Sequence, residues 1–120
     1  AAQGRIEVIS GDIAKPQFGM QDDAYAALCG RVGMVFHAAA DIRHYAEREA
    51  EALAVNRGGT REVVQFCKRA GASMQHISTT SVACEFVKAT PEMLEDFGEN
   101  DFYIGQNYED NVYTKGKFLA

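Results

Sequence analysis

Tyr113 and Lys117 stand four residues apart in the run Asn111-Val112-Tyr113-Thr114-Lys115-Gly116-Lys117 of this 120-residue chain. On a helix that spacing stacks both side chains on one face, one turn apart. A phenol titrates near pH ~10 and is ordinarily a poor proton donor or acceptor at neutrality, whereas an ammonium one turn away stabilises the phenolate. A Tyr held in this way suits a carbonyl reduction, giving a proton to oxygen while a hydride reaches carbon. The chain holds five Tyr and five Lys, so such a pair also arises readily by chance, and the surrounding elements must supply its context.

Residues 5–10 (RIEVIS) form an apolar, β-branched run that stops at Gly11-Asp12, which predicts a strand ending in a turn. Pro16 and Gly19 predict irregular chain, and residues 22–28 (DDAYAAL) a short helix with Gly30 after its end. Residues 32–37 (VGMVFH) are apolar enough for a parallel strand buried on both faces, and they run into Ala38, Ala39 and Ala40. Residues 45–54 and 56–70 read as two helical stretches. The second carries an apolar stripe of Val63, Val64, Phe66, Cys67 and Ala70, with Gly71 as its stop. Residues 74–77 are a third strand leading into Ser78-Thr79-Thr80-Ser81, and residues 85–110 are long, acidic and poorly patterned, as functional or mobile loops are. Strands alternating with helices define an α/β fold with a parallel sheet.

In such sheets ligands bind beyond the carboxyl ends of the strands, which singles out Gly11-Asp12, the alanine triplet and Ser78-Thr79. Small alanines let a flat ligand approach the backbone. A hydroxyl at 78 or 79 could be a turn residue or a donor to a substrate carbonyl, and Asn56 could simply cap the helix that follows. His37, His44 and His76 lack the spacing of a metal site, so no metal is expected, and packing or turn roles suit the two that flank strands. Asp41-Ile42-Arg43-His44 could face substrate. Cys84 lies near the expected active-site loop with nothing beside it to make a thiolate, and the acidic run 92–101 reads as a solvated or docking face.

A net charge of −5 without a basic stripe argues against nucleic-acid or anionic-membrane binding. No apolar stretch reaches the length of a membrane span, and no signal pattern is present. Cys29, Cys67 and Cys84 are an odd number without C-x-x-C spacing, which predicts free thiols in a reducing cytoplasm.

A strand ending in GDI, then VFHAAADIRHY, N-x-x-GT, HISTTSV and Y-x-x-x-K occur in the order and spacing of extended short-chain dehydrogenase/reductases. The segments FHAAADIRHY, HISTTSVA and GQNYEDNVYTKGKF narrow the likeness. From about Ile6 to Ala120 the chain resembles the terminal thioester reductase domains of nonribosomal peptide and polyketide synthetases, of the male-sterility-type NAD-binding family.

The resemblance implies a partial Rossmann fold, a doubly wound parallel sheet lacking the first βαβ unit. It makes Tyr113 the general acid, Lys117 the partner that lowers its pKa and holds the nicotinamide ribose, and Thr79 the hydroxyl on the reacting oxygen. Asn56 matches an Asn that supports the Lys through water. Asp12 and Ile13 match the adenine-contacting pair, while Ala38, Ala39, Ala40 and Ile77 match backbone lining the cofactor. The implied reaction is NADPH-dependent release of an acyl or peptidyl chain from the phosphopantetheine thioester of a carrier protein, within the same synthetase chain. The product is an aldehyde, or an alcohol after a second hydride. The preference for NADP comes from the family alone. A sugar-nucleotide epimerase or ketone reductase would share every catalytic residue. A non-catalytic nucleotide-binding protein of the same fold would usually lack the Tyr/Lys pair.

Two residues depart from the family pattern: Arg57 replaces a small apolar residue, and Gly116 a common Ser, at a helix cost of about 1 kcal/mol. The Gly-rich turn that would hold the cofactor pyrophosphate has no counterpart. Residues 1–120 are therefore expected to be an internal piece of a nucleotide-binding domain, running from about its third strand to the Tyr-x-x-x-Lys helix. Alone it is expected to be inactive and to bind NADPH weakly or not at all. Residues 6–10 are expected to be displaced, to pair with another chain, or to lie against residues 32–37 in a non-native sheet.

Overall fold

The chain is described by a computed structural model, which covers residues 4, 6–43, 46–84, 98–101, 103, 109 and 111–120. A turn at Pro16–Gly19 leads into helix α1 (Asp22–Cys29) and strand β1 (Met34–His37). A 3-10 turn (Ala46–Arg48), helix α2 (Glu49–Leu53), a widened π turn (Ala54–Gly59) and helix α3 (Thr60–Ala70) follow as one helical rod. Strand β2 (Ser73–His76), helix α4 (Ser81–Cys84) and helix α5 (Val112–Phe118) complete the described elements.

β1 and β2 pair in parallel, with Met34 opposite Ser73 and His37 opposite His76. A parallel pair needs a crossover, and the α2–α3 rod supplies it. The α3 stripe closes on the sheet and on α1: Val63, Phe66 and Cys67 are buried with Tyr25 and Cys29, and Phe18, Leu28, Val35 and Met74 pack around them. The rings of Phe18, Tyr25 and Phe66 meet in tilted or edge-on contacts with centroids 5.5–5.7 Å apart. Each large apolar side chain buried there contributes about 1.5–3 kcal/mol. α3 ends where Gly71 takes φ 65°, a left-handed conformation open to glycine, and the Gly71 N–H satisfies the Cys67 carbonyl. Cys29 and Cys67 are free, buried thiols, and burial pushes the Cys67 thiol above its ordinary value.

Several expectations are corrected. Residues 6–10 form no strand and join no sheet, so the non-native ladder against residues 32–37 is not made. Val8 is 93% exposed, and an ion pair from Glu7 to Arg31 ties the segment down. A strand's N–H and C=O groups need a neighbouring strand, and none lies beside this segment among the described residues. β1 is not buried on both faces. Val35 and His37 turn toward α3, while Met34 (53% exposed) and Phe36 (70%) lie on a face that no second layer covers among the described residues. β2 begins one residue earlier than expected and ends before Ile77, although the Ile77 N–H still reaches the His37 carbonyl at 3.0 Å. The expected break between two helices at residue 55 is absent, because the backbone stays helical by widening to a π turn. Asn56 is thus inside that turn and caps nothing. Pro16–Gly19 is a turn with Gln17 and Phe18 at positive φ.

His44, Tyr45, most of residues 85–110 and the Cys84 side chain lie outside what is described. Among the described residues no helix is long and apolar enough to cross a membrane, and no cluster of three His, Cys, Asp or Glu could hold a metal ion.

Candidate active site

The Asn111 side chain caps α5, accepting from the Thr114 N–H at 3.1 Å. The helix packs against α2, the π turn and α4. Lys115 and Lys117 leave it in different directions. Lys115 pairs with Glu49 at 2.9 Å and Glu109 at 2.5 Å, which pins α5 to α2 and raises the ammonium's pKa through both hydrogen bonds. Lys117 is only 7% exposed, and its Nζ donates to the Ile77 carbonyl at 2.8 Å. Its charge therefore sits at the carboxyl end of β2, and burial pushes its pKa below the ordinary value. Tyr113 is half-buried one turn before it.

Thr79 lies two residues beyond the carbonyl that holds Lys117. Its Oγ1 accepts from the Ser81 N–H and donates to Ser81 Oγ, both at 3.3 Å, so it serves the turn that starts α4. Thr79 is half-buried, whereas Ser78 and Thr80 are exposed. Lys117 thus reaches this strand end from α5, and Thr79 lies in the turn that follows the same strand end.

Asn56 is fully buried, and its carboxamide is engaged by the Asp41 backbone. Oδ1 accepts from the Asp41 N–H at 2.8 Å, and Nδ2 donates to the Asp41 carbonyl at 2.9 Å. Asn56 therefore clamps the end of the loop that starts at Ala38. It also touches the Lys117 helix: a Cβ at Gly116 would lie 2.8 Å from Asn56 Nδ2 and 2.9 Å from its Cβ. Gly116, a helix-weakening residue by sequence, is what lets α5 approach. Behind Asn56, the Thr60 hydroxyl donates to the Asn56 carbonyl at 2.7 Å, and His37 Nε2 lies 3.0 Å from Thr60 Oγ1. Neither His37 nor Thr60 was singled out for this role by the sequence, since the pair are 23 residues apart and joined only by the fold.

Ala38 and Ala39 are exposed and Ala40 is half-buried, leaving small side chains along the β1 exit. Asp41 is buried and held by Arg43 through Nε contacts of 2.8 and 3.0 Å. Those hydrogen bonds lower its pKa to about 2. Asp41 is thus a structural carboxylate, and of its neighbours Ile42 and Arg43 face solvent. Asp12 is exposed and occupied by its own turn, accepting from the Ala14 N–H at 3.0 Å and pairing with Lys15 at 3.4 Å. Ile13 packs against Gly59, where a Cβ would come within 2.7 Å of Ile13 Cδ1. Ile13 also lines a cleft of about 230 Å³ with Ile9, Gly11, Phe18, Met20 and Leu28. A larger cavity of about 590 Å³ lies between α2, α3 and the last two residues, and none of Thr79, Tyr113 and Lys117 lines it.

A parallel strand pair joined by a helical crossover, with polar side chains beyond the strand ends, is the arrangement of doubly wound nucleotide-binding folds. The family model described as male sterility protein, an NAD-binding family, matches residues 1–120, and the chain belongs to that family. Glycine betaine reductase ATRR of Emericella nidulans is 36% identical over 78 residues, covering 65% of this chain and 6% of that protein. Fatty acyl-CoA reductase wat of Drosophila melanogaster is 32% identical, covering 97% of this chain and 26% of that protein. The highly reducing polyketide synthase calA of Penicillium decumbens is 29% identical over 66% of this chain and 3% of its own length. The terminal R domain of the myxalamid PKS-NRPS pathway superposes with a TM-score of 0.73 at 22% identity, over 92% of this chain and 27% of that one. That likeness establishes the partial Rossmann-like α/β fold. The chain spans about a quarter or less of each of these relatives.

Proposed function

We propose that residues 1–120 supply the part of a nucleotide-binding domain that carries the Tyr113–Lys117 helix of an NADPH-dependent thioester reductase. The substrate in this reading is an acyl or peptidyl chain held by a phosphopantetheinyl carrier protein, released as an aldehyde or, after a second reduction, an alcohol. The observation that carries the reading is the buried Lys117 ammonium, anchored on the Ile77 carbonyl beside Thr79, with Tyr113 one turn before it.

The residues present fit a nicotinamide nucleotide. An ammonium has three N–H donors, and Lys117 gives one to Ile77, which leaves donors for ribose hydroxyls. Ala38 and Ala39 leave backbone accessible at the neighbouring strand end. The nicotinamide, when bound, supplies the hydride. Tyr113 gives its proton to the carbonyl oxygen as negative charge builds there, and the Thr79 hydroxyl turns from its long 3.3 Å bond to Ser81 Oγ to donate to the same oxygen. Lys117 compensates the charge left on the phenol oxygen. Hydride and proton convert the thioester to a hemithioacetal, whose C–S bond breaks to leave the aldehyde and the pantetheine thiol.

The test uses the full-length protein with NADPH and an acyl-pantetheine thioester. Thioester-dependent NADPH oxidation should appear and fall about 10²–10⁴-fold in Tyr113→Phe, the range expected for loss of a general acid. Oxidation supported only by a sugar nucleotide or a free ketone would overturn the substrate assignment.

A further inference from the structure

His37 is 4% exposed and has both a main-chain and a side-chain partner at the centre of the site. Its carbonyl accepts the Ile77 N–H at 3.0 Å, and the Ile77 carbonyl in turn receives Lys117. Its ring reaches the other half of the site. The Thr60 hydroxyl has a single proton and gives it to the Asn56 carbonyl, which can only accept. Thr60 Oγ1 must therefore accept from His37, so the ring carries its proton on Nε2. Asn56, fixed from behind in this way, holds both main-chain groups of Asp41 and closes the loop of residues 38–41.

We propose that His37 is the positioning residue that joins the two halves of the site: its backbone steadies the β2 end that anchors Lys117, and its ring, through Thr60 and Asn56, latches the loop of residues 38–41 in the shape that receives the nicotinamide nucleotide. The latch rests on the reductase reading for its ligand, though not for its geometry. A proton-transfer role for His37 is disfavoured because Nε2–H is committed to Thr60. A second ring proton is also opposed by burial, by the tilted His76 ring 5.1 Å away, and by the Lys117 charge.

The experiment compares Thr60→Val, which keeps the shape and loses the hydroxyl, with Thr60→Ser, which keeps the hydroxyl. His37→Phe is compared in the same way with His37→Gln, whose amide can donate from a similar position. All four are made in the full-length protein. Amide exchange at Asp41 is read against Phe66 in α3 as an internal reference, and the NADPH dissociation constant is measured by fluorescence titration. Thr60→Val and His37→Phe should speed Asp41 exchange about tenfold while Phe66 is unchanged, as a local opening does. The same two variants should weaken NADPH binding about tenfold, the loss expected when a buried hydrogen bond is left half-made. Thr60→Ser and His37→Gln should stay near wild type, and the pH profile of kcat should not move in any variant. Unchanged Asp41 exchange in Thr60→Val, equal damage in Thr60→Ser, or a displaced kcat profile would each overturn the latch. The Thr60 pair decides the matter even where His37→Phe does not fold. A wild-type protein that binds no nicotinamide nucleotide would overturn the reductase reading instead, and Asp41 exchange would still judge the latch.

Discussion

Gly116→Ala sets two physical effects against each other. Replacing a glycine inside a helix with alanine normally stabilises it by about 1 kcal/mol. At this position the new methyl would sit 2.8 Å from Asn56 Nδ2, 2.9 Å from Asn56 Cβ and 3.3 Å from Asn56 Cγ. Asn56 cannot turn aside, because its carboxamide is fixed at both ends to Asp41 at 2.8 and 2.9 Å and its carbonyl is held by Thr60. Overpacking of this kind costs about 1–3 kcal/mol. Freeing either Asn56–Asp41 bond inside the protein adds about 1–3 kcal/mol. Set against the propensity gain, the variant should be less stable than wild type by about 1–5 kcal/mol. Urea unfolding followed by circular dichroism should show a lower midpoint at constant slope. In an Asn56→Gly background, where the obstructing Cβ is gone, the same Gly116→Ala change should stabilise by up to about 1 kcal/mol. A Gly116→Ala protein more stable than wild type would refute the close approach of α5 to Asn56.

Gly59→Ala should destabilise by about 1–3 kcal/mol because its methyl meets Ile13 Cδ1 and Cγ1 at 2.7 and 2.9 Å, and Ile13→Ala should recover part of the loss in a double-mutant cycle. The Asp41 carboxyl is held down to about 2 by Arg43, so the stability it brings is present above the unfolded value of 3.8 and lost as pH falls toward 2. The unfolding midpoints of wild type and Asp41→Asn should therefore converge over that interval. His37 and His76 have pKa values pushed below 6.5 by burial, so the unfolded chain takes up protons first and stability falls as pH drops below about 6.5. His76→Phe should flatten that decline in urea titrations between pH 7 and 5.

The placement of Tyr113 and Lys117 one turn apart on a helix was legible because a spacing of four puts two residues on one helix face. The α3 stripe was legible because Val63, Phe66 and Cys67 recur with the helical period. What escaped the sequence depends on neighbours remote in the chain. Residues 6–10 have the composition of a strand, but a strand exists only beside another, and the described residues place none there. Gly116 read as a weak point in a helix, whereas the structure shows a point of closest approach to Asn56, 60 positions earlier. Asn56 read as a cap for the helix that follows, whereas its carboxamide is bonded to the Asp41 backbone, 15 positions earlier. Residue 55 read as the break between two helices, yet the backbone runs through it as a π turn, in which Gly59 leaves room for Ile13 where a side chain would not fit.

The π turn at Ala54–Gly59 inserts the equivalent of one extra residue into a rod that is otherwise α-helical on both sides. One residue is about 100° of rotation around a helix axis. Upstream of it the rod presents Ala52 toward α5; downstream it presents Val63, Phe66 and Cys67 toward the sheet and α1. The widened turn thus works as a phase shifter between two apolar stripes that a uniform helix would carry in a different relative orientation. A one-residue deletion here would leave every side chain downstream chemically intact and turn the whole of α3 away from its neighbours. For this segment, chain length is a harder constraint than residue identity.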